Sequence, residues 1–269
     1  MKLGVNIDHI ATLRNARGGV EPSVLEAGLI CDKLGVSAIT VHLREDRRHI
    51  KDSDVWELKE KVKTNINLEM ATTNEMQEIA LKLKPHSVCL VPEKRQELTT
   101  EGGLDVYGNL EKMKKFVAPL VEAGIVVSMF IDPSEEQVRA SYEIGAQFIE
   151  LHTGSFANAS KGEAQEAEYE KLKSAAILAQ SLGLQVNAGH GLNYENVHYM
   201  HKIPNLVELN IGHSIISRAI FKGLETAISD MAELIKKAWA RVSLSFRGEN
   251  KWNLYLYNIS ASFCLLQTS

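Results

Sequence analysis

IVVSMFIDPSEEQVRASYEIGAQFIELHTG (125–154) decides the fold. IVVSMFI (125–131) is an apolar run of strand length. After Asp132-Pro133, Ser134 offers a hydroxyl to the free N–H groups of a helix start. Glu135 and Glu136 put acid beside the positive helix end. Gly145 stops the helix, and a second short run, FIELH (148–152), follows. The stretch reads as strand, helix, strand, the unit that joins parallel strands.

The same alternation extends outward in both directions. LGVNI (3–7), AITVHL (38–43), INLEM (66–70), SVCLV (87–91), LQVNAG (184–189) and VELNIG (207–212) complete eight runs. Between most of them lie helical segments with start and stop signals. Pro22-Ser23 opens one that runs to Lys33 and stops at Gly35; Thr73, with Glu75 and Glu78, opens another that ends at Lys84-Pro85; a long polar helix over about 161–182 precedes Gly183. The expected fold class is α/β, a (β/α)8 TIM barrel with a few extra helices. A doubly wound open sheet is the alternative, but it usually carries a GxGxxG turn after its first strand, and none is present. The barrel is expected over 1–239, its last helix ending near Trp239. Residues 240–269, aromatic-rich and weakly periodic, read as a non-catalytic appendage.

The bulk properties narrow the function. At 269 residues the chain can bury one large core, and a net charge of −4 argues against a general nucleic-acid surface. No apolar stretch reaches membrane-spanning length, and MKLGVNIDHI lacks a signal-peptide pattern, so a cytoplasmic protein is expected. Cys31, Cys89 and Cys264 form no CxxC pair and read as free thiols.

Five of the nine histidines, His9, His42, His152, His190 and His213, lie at or just past strand C-termini, with Asn6, Asp8, Arg44, Glu69, Glu150, Asn187 and Asn210. In a barrel those ends converge on the face where chemistry is done. Alternation puts Asn6 and Asp8 on one side of the first strand, and His42 and Arg44 on one side of the second. A cationic pair that begins inside a strand is costly unless it meets an anion, which suggests a phosphate or carboxylate ligand. Arg44 to Asp54 reads as a polar loop, and Arg17 as a Gly-flanked loop residue able to clamp an anion. Glu69, between Leu68 and Met70, should be poorly solvated with a raised pKa, as suits a general acid or base. Glu93 and Asp132 read equally as capping groups or catalytic ones. Gly189-His190-Gly191 and Gly212-His213 follow the last two strands, where barrels of this class hold phosphate. TTEGG (99–103), within the polar segment 93–106, reads as a mobile loop. No metal is expected: the first strand offers Asn-x-Asp where metal-dependent barrels place His-x-His, and no HExxH motif occurs.

GVNIDHIATLRNARGG, HLREDRRHI, NLEMA, LTTEGGLDV, IELHTGSFA, NAGHGLNY and ELNIGHSIISRA, in this order, resemble the pyridoxine 5′-phosphate synthase family over roughly residues 1–239. The resemblance implies a cytoplasmic (β/α)8 barrel, commonly an octamer, working without metal or organic cofactor. Its reaction, a transferase chemistry of vitamin B6 biosynthesis, condenses 1-deoxy-D-xylulose 5-phosphate with 3-amino-2-oxopropyl phosphate. It implies His42, Glu69 and His190 as proton-transfer residues and Glu150 as a transition-state stabiliser. Asn6, Arg17, Gly191, Gly212 and His213 would hold the aminoketone phosphate; Asp8, His9, Arg44, His49 and Thr99 would hold the deoxyxylulose phosphate. The partners are then two phosphorylated small molecules, with no nucleic acid and no membrane. A metal-dependent barrel hydrolase or lyase and a non-catalytic phosphosugar-binding barrel are the competing readings.

Overall fold

The structure, a computed structural model, describes residues 1–97, 99 and 102–248. Eight parallel strands close into a barrel in sequential order: β1 (Lys2–Asn6), β2 (Ala38–His42), β3 (Asn65–Met70), β4 (Ser87–Leu90), β5 (Val126–Ile131), β6 (Phe148–His152), β7 (Gln185–Gly189) and β8 (Glu208–Ile211). Around them run α1 (Asp8–Arg17), α2 (Val24–Leu34), α3 (Asp52–Lys61), α4 (Asn74–Leu83), α5 (Leu110–Glu122), α6 (Glu135–Glu143), α7 (Gly154–Asn158), α8 (Glu163–Ser181), α9 (His213–Lys222) and α10 (Leu224–Gly248). The TIM-barrel reading holds, with α1 and α7 as additions at the C-terminal face.

The caps form as their chemistry predicts. The Ser23, Thr73 and Ser134 side chains accept from the N–H groups of Glu26, Met76 and Gln137 at the starts of α2, α4 and α6. Three elements differ from the sequence reading. The β7–β8 connection carries a 3-10 turn, Val197–Lys202, and no α-helix. The polar loop after β2 is shorter, because Asp52 and Asp54 already belong to the first turn of α3. The last helix continues to Gly248 and does not stop near Trp239; residues 249–269, with the rest of the aromatic tail and Cys264, lie outside the described residues.

Period-2 alternation sorts each strand into two faces. Val5, Ile39, Val41, Leu68, Leu90, Val127, Met129, Ile149, Val186 and Leu209 face outward and join the helices in one buried core. The inward positions are different. The register sets Thr40 beside Asn67 and His42 beside Glu69, then Asn67 beside Ser87, and Glu150 beside Asn187. Contacts between strands that are not neighbours confirm that these side chains point inward: Asn210 of β8 reaches both Thr40 of β2 and Glu150 of β6. Most barrels of this class fill the interior with branched apolar residues. Here it is largely polar, so the hydrophobic stabilisation lies in the shell between strands and helices. Leu68→Ala on that outer face should therefore cost about 3 kcal/mol in denaturant unfolding, as a fully buried leucine does.

Candidate active site

Two arcs of polar groups line the C-terminal mouth of the barrel. The first runs from β8 through β1 to β4. Asn6 donates from Nδ2 to Asp8 Oδ2 at 2.8 Å, and the Asp8 N–H donates back to Asn6 Oδ1 at 2.9 Å. Asp8 Oδ1 accepts the His42 N–H at 2.8 Å, tying the start of α1 to the end of β2. Burial pushes the Asp8 carboxyl up to about 6, against the lowering pull of these donors and of Arg44. Gly212 lies directly against Asn6, where a Cβ would come within 2.9 Å of the Asn6 Cβ. It opens α9, whose first residue, His213, meets His9 edge-on with ring centroids 5.1 Å apart. This helix start presents N–H groups beside two imidazoles, a site suited to a phosphate.

His42 sits between two carboxylates. Its Nε2 is 2.8 Å from Glu93 Oε1 and its Nδ1 is 3.8 Å from Glu69 Oε2. Burial works to raise the Glu93 pKa, but the His42 ring, the Glu45 N–H and Arg44 together hold it below the ordinary glutamate value. Glu69 behaves oppositely. Burial, with the charges of Asp8 and Glu150, raises its pKa well above the usual range, as its apolar sequence neighbours suggested. An ionised Glu93 can only accept, so His42 donates to it from Nε2 and turns Nδ1 toward Glu69.

The loop after β2 completes this arc. Arg44 Nη2 is 3.7 Å from Glu93 Oε2, while its buried Nε, 3.5 Å from Asp46 Oδ1, makes no hydrogen bond among the described residues. That orphan donor is the feature an anion would satisfy. His49 accepts the Ile50 N–H on Nδ1 at 2.8 Å, leaving Nε2 as a donor. Burial and the charges of His42 and Arg44 push its pKa down to about 4, so the ring is neutral at physiological pH. α1 holds the loop in place: Asn15 donates to the Arg48 and His49 carbonyls, and Arg14 donates to His49 O while pairing with buried Asp54 at 2.6 Å.

The second arc spans β5 to β7. His190 adopts a left-handed backbone, φ 75°, followed by Gly191 at φ 83°, a conformation that costs energy at a non-glycine residue. Thr153 fastens this turn, its hydroxyl lying 2.8 Å from Gly189 O and 2.6 Å from His190 O. The His190 ring packs 5.0 Å from that of His152, and burial together with His152 lowers its pKa. His152 Nδ1 is bound to Asp132 Oδ1 at 3.1 Å; the other Asp132 oxygen takes the Gly103 N–H at 3.0 Å and the Thr99 hydroxyl. Glu150 lies one layer deeper, 2% exposed, where burial raises its pKa to about 7.

The expected site residues thus come together, with one exception. Arg17 is the exposed last residue of α1, not a loop residue. A helix rises 1.5 Å per residue, which carries Arg17 roughly 13 Å along the axis from Asp8. It bonds to no site residue among the described ones. Conversely, Glu93 and Asp132 hold site histidines, a function their sequence context left open. Of the TTEGG segment, Thr100 and Glu101 lie outside the described residues. Asp8, His42 and Glu69 place ligand-type atoms within 4.8 Å of one another, close enough to hold a cation. Most of these atoms are already engaged, however: both Asp8 oxygens accept hydrogen bonds and Nε2 of His42 belongs to Glu93, leaving Nδ1 and the Glu69 carboxyl.

Glu150→Gln removes a group whose raised pKa makes folding take up a proton between about pH 4.5 and 7. The native stabilisation from that proton is present in acid and lost as pH rises. The variant should match the wild-type unfolding free energy near pH 4 and exceed it at pH 8 by on the order of 3 kcal/mol in denaturant unfolding. Thr153→Val, which removes the bond across the His190 turn, should lower stability by about 1 kcal/mol in denaturant unfolding.

The family described as pyridoxal phosphate biosynthesis protein PdxJ matches residues 3–237. The pyridoxine 5′-phosphate synthase of Photobacterium profundum is 60% identical over 229 residues, covering 85% of this chain and 94% of that protein. The synthase of Geobacter sulfurreducens is 55% identical over 237 residues, covering 88% and 99%. Among solved structures, N-(5′-phosphoribosyl)anthranilate isomerase from Pyrococcus furiosus superposes with a TM-score of 0.55 at 15% identity, covering 88% of this chain and 99% of that one, a likeness of fold alone. With the match spanning almost all of the barrel, this chain belongs to the PdxJ family of pyridoxal phosphate biosynthesis proteins.

Proposed function

We propose that this chain is a pyridoxine 5′-phosphate synthase, joining 1-deoxy-D-xylulose 5-phosphate to 3-amino-2-oxopropyl phosphate as a cytoplasmic transferase. The observation that carries the reading is the Glu93–His42–Glu69 line at the barrel mouth, set beside the unsatisfied Nε of Arg44. Joining an amine to a ketone, expelling phosphate and two waters, and closing an aromatic ring call for repeated proton transfers. They need several acid–base groups of different pKa and two anion sites, more than one strong nucleophile.

In this reading the deoxyxylulose phosphate is held by Arg44, the neutral Nε2–H of His49, Asp8, His9 and Thr99. The aminoketone phosphate lies at the start of α9, against Gly212, His213, Asn6 and Gly191. Glu69, protonated by virtue of its burial, gives a proton to the hydroxyl that leaves as water, and His42 Nδ1 restores the balance by taking one from the condensing carbon or nitrogen. Glu93 keeps the His42 proton on Nε2. His190, a weak base by burial, is a correspondingly strong acid once protonated, and donates at a carbonyl or leaving oxygen. Glu150 stabilises positive charge that develops on the imine nitrogen. The enzyme in this reading works as an octamer. The reaction as proposed uses neither metal nor organic cofactor.

Turnover with both phosphorylated substrates, with and without chelator, tests the reading. Phosphate and pyridoxine 5′-phosphate should appear in equal amounts, unaffected by chelator. Loss of turnover on chelation would instead assign a cation to Asp8, His42 and Glu69. Glu69→Gln should abolish product formation while leaving phosphate-ligand affinity nearly intact; equal loss of binding would make Glu69 structural. Glu93→Gln, which frees the His42 tautomer, should lower kcat by roughly 10²- to 10⁴-fold with little change in KM.

A further inference from the structure

The interior of the barrel poses a question the site alone does not answer: what fixes the orientation and ionisation of a glutamate as deeply buried as Glu150. The hydrogen bonds beneath the mouth form a single line across the barrel. Ser87 Oγ is 2.9 Å from Asn67 Oδ1, Asn67 Nδ2 is 3.3 Å from Thr40 Oγ1, Thr40 Oγ1 is 3.2 Å from Asn210 Oδ1, and Asn210 Nδ2 is 2.6 Å from Glu150 Oε2. With Glu150 ionised, its direction is set. The carboxylate takes the Asn210 N–H, so Oδ1 faces the Thr40 hydroxyl and accepts from it. With its one proton spent, the Thr40 oxygen can only accept from Asn67, whose own oxygen then accepts from Ser87. Every donor in the line points toward Glu150.

Two strand glycines, otherwise out of place in a β-barrel, make room for this arrangement. A Cβ at Gly4 would lie 2.1 Å from Asn210 Oδ1, and one at Gly189 would lie 2.2 Å from Glu150 Oε1. One glycine accommodates the amide and the other the carboxylate. We propose that Asn210 is a positioning residue for the reaction, the last link of a one-way hydrogen-bond line from Ser87 that holds Glu150 as a carboxylate in one orientation. The inference rests on the synthase reading for what Glu150 then does. Of the titratable groups facing Glu150, Glu69 of β3 and Glu208 of β8 oppose its ionisation, whereas the Cys89 thiol of β4, itself pushed up by burial, donates to Oε2 at 3.9 Å and favours it weakly. The Asn210 donor is the main counterweight.

The test combines kinetics against pH with infrared difference spectra of the full-length enzyme, in which Glu150→Gln identifies the Glu150 carboxylate band. Asn210→Asp keeps the shape but sets a second carboxyl against Oε2. It should lower kcat at pH 7 by about fivefold or more, leave KM for both substrates within about threefold, and move the acid limb of kcat upward by about one pH unit or more. The Glu150 carboxylate band should weaken at pH 7 in parallel. Thr40→Val, which cuts the line one link away, should shift the limb in the same direction by less, and Thr40→Ser, which keeps the hydroxyl, should restore it. An unmoved acid limb and an unchanged band in Asn210→Asp would overturn the proposal, as would a KM that rises in step with the loss of kcat. A wild-type enzyme without synthase turnover would defeat the functional reading, and the infrared band would still decide whether Asn210 holds Glu150 ionised. Full activity in Glu150→Gln would leave nothing to position and would remove this inference alone.

Discussion

Hydrogen-bonding side chains occupy the inward face of this barrel and, with exceptions such as Ser128 Oγ and Asn187 Oδ1, must find their partners within a closed ring of strands. That constraint shapes the rest of the molecule. An apolar interior could be filled by any well-packed set of branched side chains, whereas an unpaired buried polar atom costs about 1–3 kcal/mol. Thr40, Asn67, Ser87, Asn210 and Glu150 solve the problem by bonding to one another across the barrel. The apolar face of each strand is left to provide cohesion, packing outward on the helices as one continuous core. The reacting face is built directly on this polar floor.

The same floor sets the electrostatics of the mouth. Asp8, Glu69 and Glu150 are buried near one another, and burial raises the pKa of all three. Their protons are shared within a chamber where full ionisation of the group is unfavourable, as for other close carboxylates in a low dielectric. The histidines answer in kind. Burial lowers the pKa values of His9, His49 and His190, so the neutral rings dominate near neutrality. Weakly ionised acids and weakly protonated bases side by side are the condition under which protons move with little cost in either direction. Glu93 stands apart, kept ionised by His42, Arg44 and a backbone N–H, and so can fix a tautomer without joining the exchange.

Much of this was legible in the residues. The eight apolar runs match the eight strands to within a residue or two, because a strand end is marked locally by turn and capping groups such as Ser23, Thr73 and Ser134. Asn6, Asp8, His42 and Glu69 could be placed together from alternation and from the convergence of strand ends. Glu93 and Asp132 could not be told apart from capping residues. What distinguishes them is a histidine 51 positions away in one case and 20 in the other, at distances no local pattern encodes. The loop reading of Arg17 gave way for the opposite reason. Its glycine neighbours suggested a loop, but α1 begins at Asp8 and continues without interruption to Arg17, with Gly18 serving as the left-handed cap.

Periodicity and the chemistry of helix ends therefore settled the order, type and approximate bounds of the elements, since both act over a few residues. The motifs at the strand ends settled the kind of chemistry, because acid–base and phosphate-binding groups are recognisable by type. The partner of each group was decided only when the barrel closed. Closure brings β8 beside β1 and sets Gly212 against Asn6, His9 against His213, and Asn210 between Thr40 and Glu150. These contacts join residues up to some two hundred positions apart in the chain, and their pairing depends on register and strand tilt. Those quantities belong to the ring of strands as a whole and to no single segment of it.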